Sequence, residues 1–248
     1  MNQMNVWGMT DIGLVRKENQ DAYATAQHEA SGRTVGVVCD GMGGPAGGRV
    51  ASRIAVSVYL EELEKLLTAD QDPQQLLEAS AQAVSLANLA IQEEAERREE
   101  CRNMGTTLVS AISYDAGVVV TNVGDSRAYL IREDGITRIT KDHSLVESMV
   151  DRGDITEEEA RRHPSRNLIT RALGPDISAD CDGYICPMQA GEYLLLCSDG
   201  LVNTVTDQEM LFEVIHGDGP DTCLDRLLAI ARSQGAPDNV TAVLMQMQ

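Results

Sequence analysis

Apolar positions in this chain recur with two different periods, and the switches between them outline its elements. The opening third reads as strand, strand, helix, helix. A short apolar run at residues 34–39 is broken by Gly43-Gly44-Pro45-Ala46-Gly47-Gly48. A helix should follow, with Ile54, Val58, Leu63, Leu66 and Leu67 as its apolar points. A second should begin near Pro73, carrying a stripe of Leu77, Ala81, Val84, Ala87, Ile91 and Ala95 at spacings of three and four. Its far end, Gln92 to Glu100, is a charge run that reads as a solvated face. From Gly105 the pattern turns to short β-rich runs: Thr106 to Tyr114, Val118 to Val123, Ala128 to Arg132 and Ile136 to Thr140. Asp115-Ala116-Gly117 and Asp134-Gly135 separate two pairs of these runs and signal hairpins, so the pattern predicts an antiparallel meander.

A polar insert at residues 143–175 interrupts this pattern. Two capping boxes, Ser144 with Glu147 and Thr156 with Glu159, should each start a short helix, and Gly153 should end the first. Strands are expected near Ala179–Ile185 and at Tyr193–Cys197. A third capping box, Thr206 with Glu209, opens another helix. Pro220 starts the last helix, Gly235 ends it, and Val240–Met247 closes the chain as a strand. Strands in two clusters, each followed by a pair of helices, predict an α+β fold with two packed sheets and helices outside. No fixed-period repeat and no linker rich in Pro, Gly or Ser divides the chain, so residues 1–248 are expected to form one domain.

Composition narrows the setting. Aromatic residues are only 3% of the chain, so the core must be built from Val, Leu, Ile, Ala and Met. The net charge of −19 argues against nucleic acid and anionic membranes as partners, because both need a cationic surface. No run approaches the roughly 20 apolar residues that span a bilayer, and no basic-then-apolar leader opens the sequence. None of the six cysteines forms a C-x-x-C pair, and Cys39 and Cys197 sit in apolar runs as small hydrophobes. A reducing cytoplasm and a monomer are the expectations.

Four apolar stretches then meet an aspartate beside glycine or asparagine: Val37 to Gly41, Val120 to Asp125, Leu194 to Gly200 and Pro237 to Val240. The first three read as buried strands that deliver Asp40, Asp125 and Asp199 at their ends. The fourth reads as a loop carboxylate, Asp238, opening a strand. Any one of them alone reads as a turn cap. Together they raise an electrostatic question, since converging carboxylates repel and are costly to bury unpaired. If they converge, a cation must hold them, and oxygen ligands suit magnesium or manganese rather than zinc. Gly41 leaves its own carbonyl accessible. Arg16, between two expected strands, could hold two phosphate oxygens with one planar guanidinium.

Alternative routes to phosphate-ester chemistry lack their residues. A cysteine nucleophile needs arginine six positions later, and those positions are Pro45, Thr107, Pro187, Glu192, Asn203 and Ala229. Asp40-Gly41-Met42 lacks the Asp-x-Asp of aspartyl-phosphate enzymes. There is no phosphate-binding G-x-x-x-x-G-K-[ST] loop, and Ser198 lacks a G-x-S-x-G elbow.

With these residues assembled, the chain resembles the metal-dependent protein serine/threonine phosphatases of type 2C in their short bacterial form. The matching segments are RKENQDAY at Arg16–Tyr23, VCDGMGG at Val38–Gly44, GTT at Gly105–Thr107, NVGDSRA at Asn122–Ala128, DHSL at Asp142–Leu145, ITRALG at Ile169–Gly174, CSDGL at Cys197–Leu201 and DNV at Asp238–Val240. The resemblance implies a central β-sandwich of two antiparallel sheets flanked by pairs of α-helices, a four-layer α-β-β-α arrangement, with residues 143–175 as a mobile flap. It implies two manganese or magnesium ions in the core site. Asp40 would bridge them, the Gly41 carbonyl would bind one, and Asp199 and Asp238 the other. Asp21 would support the site through water, Asp125 with Asp199 would form a weaker third metal site, and Arg16 would hold the substrate phosphate. The implied reaction is in-line attack by a water or hydroxide bridging the two ions, on phosphothreonine or phosphoserine of proteins. The implied partners are a cognate Ser/Thr kinase and its substrates.

The chain departs from the family pattern at two positions. Animal members carry histidine where this chain has Met42, which cannot protonate a leaving group. They also carry an acid where this chain has the neutral Asn203. His143 is either a substitute acid or an ordering residue at the start of the flap helix. The basic segment Arg161, Arg162, His163 and Arg166, with Arg171, is either a solvated helix end or an attractor for acidic phosphopeptides, with Arg161, Arg162 and Arg166 as candidate peptide contacts. Two rival functions remain: a phosphate-sensing pseudophosphatase, and a phosphohydrolase for small molecules or for a single anti-sigma-factor antagonist.

Overall fold

The computed structural model describes residues 4–176 and 178–248, apart from the side chains of Pro45 and Ala46. The expected single domain thus includes stretches, Met1–Gln3 and Ile177, outside the described residues. Eleven strands and seven helices follow in order: β1 (Met4–Asp11), β2 (Asp21–His28), β3 (Arg33–Met42), α1 (Gly44–Leu66), α2 (Pro73–Arg97), β4 (Gly105–Thr106), β5 (Leu108–Tyr114), β6 (Gly117–Val123), β7 (Arg127–Arg132), β8 (Gly135–Arg138), α3 (Leu145–Asp151), α4 (Glu157–Arg162), β9 (Asp182–Pro187), β10 (Tyr193–Cys197), α5 (Asp199–Val202), α6 (Asp207–His216), α7 (Pro220–Ser233) and β11 (Val240–Met247).

One sheet runs β1-β11-β10-β7-β8 and the other β2-β3-β5-β6-β9, with β4 attached to β3. Their named pairings are antiparallel. Both faces of the central strands are covered, which is why they read as unbroken apolar runs rather than alternating ones. Val38, Leu194, Leu196, Val243 and Met245 point into the layer between the sheets. Their neighbours Val37 and Cys39 pack outward under α1 and α2, and Leu195, Cys197 and Leu244 pack under α5, α6 and α7. The period of two along each strand assigns successive residues to opposite layers, and three apolar layers between four structural ones make the expected α-β-β-α sandwich. As the composition required, the core is almost wholly aliphatic; Tyr59 and Tyr129 are its large buried aromatics.

Several expectations are corrected in detail. Helix α1 starts within the glycine run rather than after it. A Cβ at Gly47 would meet the Met104 side chain at 2.9 Å, and one at Gly48 would meet the Gly41 carbonyl at 2.6 Å, so the glycines let the first turn lie against β3. The expected strand from Thr106 to Tyr114 is cut at Thr107. That residue leaves the ladder to bond Asp40: its N–H donates to the Asp40 carbonyl at 2.9 Å. The buried stripe of α2 is Leu76, Ala79, Ser80, Ala83, Val84, Ala87, Asn88 and Ile91, rotated from the expected one. Polar Ser80 and Asn88 belong to it because each has a partner: Ser80 bonds Tyr59 and Thr121 at 2.7 Å each, and Asn88 accepts from Gly174 N–H at 2.6 Å. Of the capping boxes, Thr156–Glu159 and Thr206–Glu209 are complete. Ser144 caps α3, but Glu147 turns to Arg138 at 3.0 Å instead of closing the box.

Candidate active site

Antiparallel pairing decides where the aspartates meet. The C-terminal end of β3 lies beside the N-terminal end of β2, and the end of β10 lies beside the start of β11. Asp40, near the end of β3, therefore faces Asp21, the first residue of β2. Asp199 follows β10 as the first residue of α5, Asp238 precedes β11, and Asp125 follows β6. Asp21, Asp40 and Asp125 come from one sheet, Asp199 and Asp238 from the other. A cleft of about 480 Å³ opens at this end of the sandwich. Asp40, Gly41, Met42, Asp125, Asp199 and Asp238 line it, together with Arg16 and Lys17, and the insert contributes Asn167 and Ile169.

Each carboxylate is held by a local device. The Asp40 N–H donates to Thr107 Oγ1 at 2.9 Å, and its carbonyl accepts from Thr106 Oγ1 at 2.9 Å. Thr107 Oγ1 also bonds Ser126 Oγ at 2.7 Å, which ties the Asp40 strand to the Asp125 loop. Asp21, only 7% exposed, accepts from Ser198 Oγ at 2.8 Å through Oδ2. Asp199 Oδ2 accepts from Asn203 Nδ2 at 3.1 Å. Arg16 Nη2 donates to Asp238 Oδ2 at 2.6 Å. Asn239 pins the Arg16 loop from below: its amide nitrogen donates to the Ile12 and Glu18 carbonyls at 3.0 Å each, and its oxygen accepts from Gln20 N–H at 2.8 Å. Thr107, Ser198 and Asn239 lay inside the matched motifs, but nothing in their spacing marked them as positioning residues.

The electrostatics are those of a site short of positive charge. Burial raises the Asp40 carboxyl well above its ordinary range, and repulsion from Asp21, Asp199, Asp125 and Asp238 adds to it. Burial likewise pushes Asp125 up to about 7, with Asp199 and Asp142 adding to the effect. It lifts Asp21 to about 6, although hydrogen bonds from Thr241 and Ser198 oppose the shift. Asp199 is raised by burial and then by Asp238. Among the described residues three buried side-chain oxygens have no hydrogen-bond partner: Asp21 Oδ1 and Asp199 Oδ1 in the carboxylate group, and the amide oxygen of Asn122 on β6. Such orphaned acceptors are uncommon in a settled core. An all-oxygen donor set with unmet acceptors and mutually repelling charges fits a hard divalent cation. Among the described residues no three His, Cys, Asp or Glu side chains are grouped so that they could hold a metal ion by themselves, so a bound ion would draw on backbone carbonyl and water for much of its shell, as magnesium commonly does.

The remaining candidates fall elsewhere. His143 is buried; its Nδ1 accepts from Gly124 N–H at 3.1 Å and its Nε2 faces Asp182 at 3.2 Å. It is not among the cleft-lining residues and has the partners of an ordering residue. Arg161 and Arg162 lie at the exposed end of α4, where Arg162 pairs with Glu158 at 3.2 Å. Arg166 is exposed in the turn beyond, and none of the three lines the cleft.

A four-layer sandwich whose two sheets bring aspartates to a shared cleft defines a hydrolase built for hard cations and anionic esters. Comparison with known proteins agrees. The family described as Protein phosphatase 2C matches residues 15–244. A serine/threonine phosphatase of Listeria innocua is 37% identical over 96% of this chain and 93% of its own. A protein phosphatase of Streptococcus pneumoniae is 34% identical over 98% of each chain. The crystal structure of a serine/threonine phosphatase from Staphylococcus aureus superposes with a TM-score of 0.89 at 34% identity, over 100% of this chain and 96% of that one. The chain belongs to the protein phosphatase 2C family. It is a serine/threonine protein phosphatase of the bacterial kind, with the metal dependence of that family. No described helix is long and apolar enough to cross a membrane.

Proposed function

We propose that Asp40, the Gly41 carbonyl, Asp199 and Asp238 hold two manganese or magnesium ions, that Asp21 supports them through water, and that Asp125 with Asp199 offers a weaker third site. The observation that carries this reading is the pair of orphaned buried oxygens, Asp21 Oδ1 and Asp199 Oδ1, among carboxyls with raised pKa values. Ions held there would supply an acidified water as the nucleophile and would neutralise the charge on the phosphoryl oxygens.

The chain's own residues orient the substrate. Arg16 is half-exposed and already engaged with one carboxylate. Its planar guanidinium lines the cleft, where it can clamp two phosphate oxygens. Thr107 fixes Asp40 through its backbone, so the central carboxylate does not follow the substrate. Met42 has no proton to give, so the leaving alkoxide takes its proton from solvent. The substrates are phosphothreonine and phosphoserine in proteins, and a Ser/Thr kinase with its targets forms the opposing system. Arg161, Arg162 and Arg166, off the cleft, would meet acidic residues distant from the phosphate. The enzyme works as a cytoplasmic monomer; its six free cysteines suit a reducing compartment.

Asp199→Asn tests the assignment. It should abolish manganese binding by calorimetry and phosphothreonine-peptide hydrolysis together, with an unchanged circular dichroism spectrum. Full turnover by this variant at saturating manganese would refute it.

A further inference from the structure

Seven large apolar side chains are exposed among the described residues, and four of them lie within four residues along the chain of Arg16 or Asn167, which line the cleft. Ile12, Leu14 and Val15 precede Arg16 on the β1–β2 loop, and Leu168 sits between Asn167 and Ile169, two cleft residues of the insert. Leu14 is 60% exposed, Val15 67% and Leu168 55%. A single exposed leucine needs no explanation. Three on the one loop that leads to Arg16, and a fourth between two cleft residues of the insert, do.

The loop that carries this cluster is firmly tied down. Gly13 N–H donates to Asp11 Oδ1 at 2.8 Å, Leu14 N–H to the Ala236 carbonyl at 2.9 Å, and Asn239 holds the Ile12 carbonyl. Gly13 has φ +76°, and a Cβ there would lie 2.2 Å from the Asp238 carbonyl, so the loop rests directly on the Asp238 turn. Backbone bonds therefore fix Leu14 and Val15 relative to Arg16 and Asp238 while their side chains stay in water.

We propose that Leu14 and Val15, with Leu168 on the insert side, form an apolar subsite. Its occupant is an aliphatic side chain one or two positions from the phosphorylated residue of a substrate protein. The proposal rests on the phosphatase reading of the cleft and deepens it. Continuity with the cleft selects this occupant. Consecutive Cα atoms are about 3.8 Å apart, and an extended peptide advances about 3.3 Å per residue. A peptide with its phosphate on Arg16 thus brings its near neighbours over Val15 and Leu14. Arg16 and Lys17 meet the anion, and the aliphatic pair meets the residue next to it.

The test uses the full chain with saturating manganese and phosphothreonine peptides that carry either leucine or serine at each of the two positions on either side of the phosphoresidue. At one such position the wild type should favour leucine by about five- to tenfold in kcat/KM, mainly through KM. Leu14→Ser with Val15→Ser should bring that ratio to within about twofold of one, and Leu168→Ser should lower it independently. A wild-type ratio near one at every position, or an unchanged ratio in the variants, overturns the subsite. So does a wild-type dimer that Leu14→Ser dissociates, which would assign the patch to a second copy of the chain. Failure of the wild type to hydrolyse any of the peptides would instead overturn the phosphatase reading beneath it.

Discussion

Asp21 and Asp40 are direct partners across the β2–β3 ladder, two carboxylates placed where a sheet ordinarily avoids like charges. Strand pairing rather than chance contact fixes the arrangement, so the repulsion is built into the fold. It is relieved only by protons or by cations.

Metal-free stability should therefore fall as pH rises. Asp21 is raised to about 6 and Asp125 to about 7, both above their ordinary value of 3.8. Between roughly pH 4 and pH 7 the folded protein then holds more protons than the unfolded one, and stability contributed at low pH is lost as pH passes through the raised values. In chelator, calorimetry should give a melting temperature lower at pH 7.5 than at pH 5 by about 3 °C or more. Manganese should restore it at pH 7.5, and Asp125→Asn should flatten the dependence. A melting temperature that rises over the same interval would contradict this account.

Thr107, which lines the cleft, should control activity through its hold on Asp40. Its hydroxyl accepts the Asp40 N–H and bonds Ser126, so Thr107→Val leaves a buried donor unpaired. The expected loss is about 1–3 kcal/mol of stability. A fall of about tenfold or more in kcat should accompany it as Asp40 loosens. Thr107→Ser, which keeps the hydroxyl, should recover most of both in urea titration and peptide turnover.

Arg16→Lys should separate binding from stability. The pair with Asp238 is half-exposed on the arginine side, so its contribution to folding is small. A lysine keeps the charge but loses the planar fork, and KM for a phosphothreonine peptide should rise about tenfold while the urea midpoint hardly moves. An unchanged KM would remove Arg16 from the substrate site.

The sequence revealed the parts that repeat a local rule. Val240–Met247 was legible to the residue, because a strand buried on both faces is mostly apolar, Thr241 and Gln246 excepted, and a loop aspartate opens it. That Asp40 and Asp199 end strands and Asp238 opens one was legible, but that they meet at one cleft was only implied by the family resemblance, since strand pairing decides it. What stayed hidden depends on distant partners. The break at Thr107 is made by Asp40, 67 residues away, and the Arg16 contact to Asp238 spans 222 residues. The rotation of the α2 stripe follows from hydroxyl and amide partners for Ser80 and Asn88, which no helical periodicity encodes.

Gly41 should be the least replaceable residue of the cleft, for a reason separate from any ligand role. A Cβ there would lie 2.1 Å from the Gly48 carbonyl and 2.5 Å from the Gln20 carbonyl. Both obstacles are backbone: one is in the first turn of α1, the other just before β2, and neither is the end of a flexible side chain. Relief would require α1 or the Arg16 loop to move, and either movement disturbs the Gly41 carbonyl proposed as a cation ligand. Gly41→Ala should therefore cost about 3 kcal/mol or more. The variant should also bind manganese more weakly than its residual folded fraction explains. Urea midpoints in chelator measure the first effect, and calorimetric titration corrected for folded fraction measures the second. A variant of wild-type stability with weakened manganese affinity would mean that the backbone yields easily and only the carbonyl matters. A destabilised variant with intact affinity would take the Gly41 carbonyl out of the ligand set.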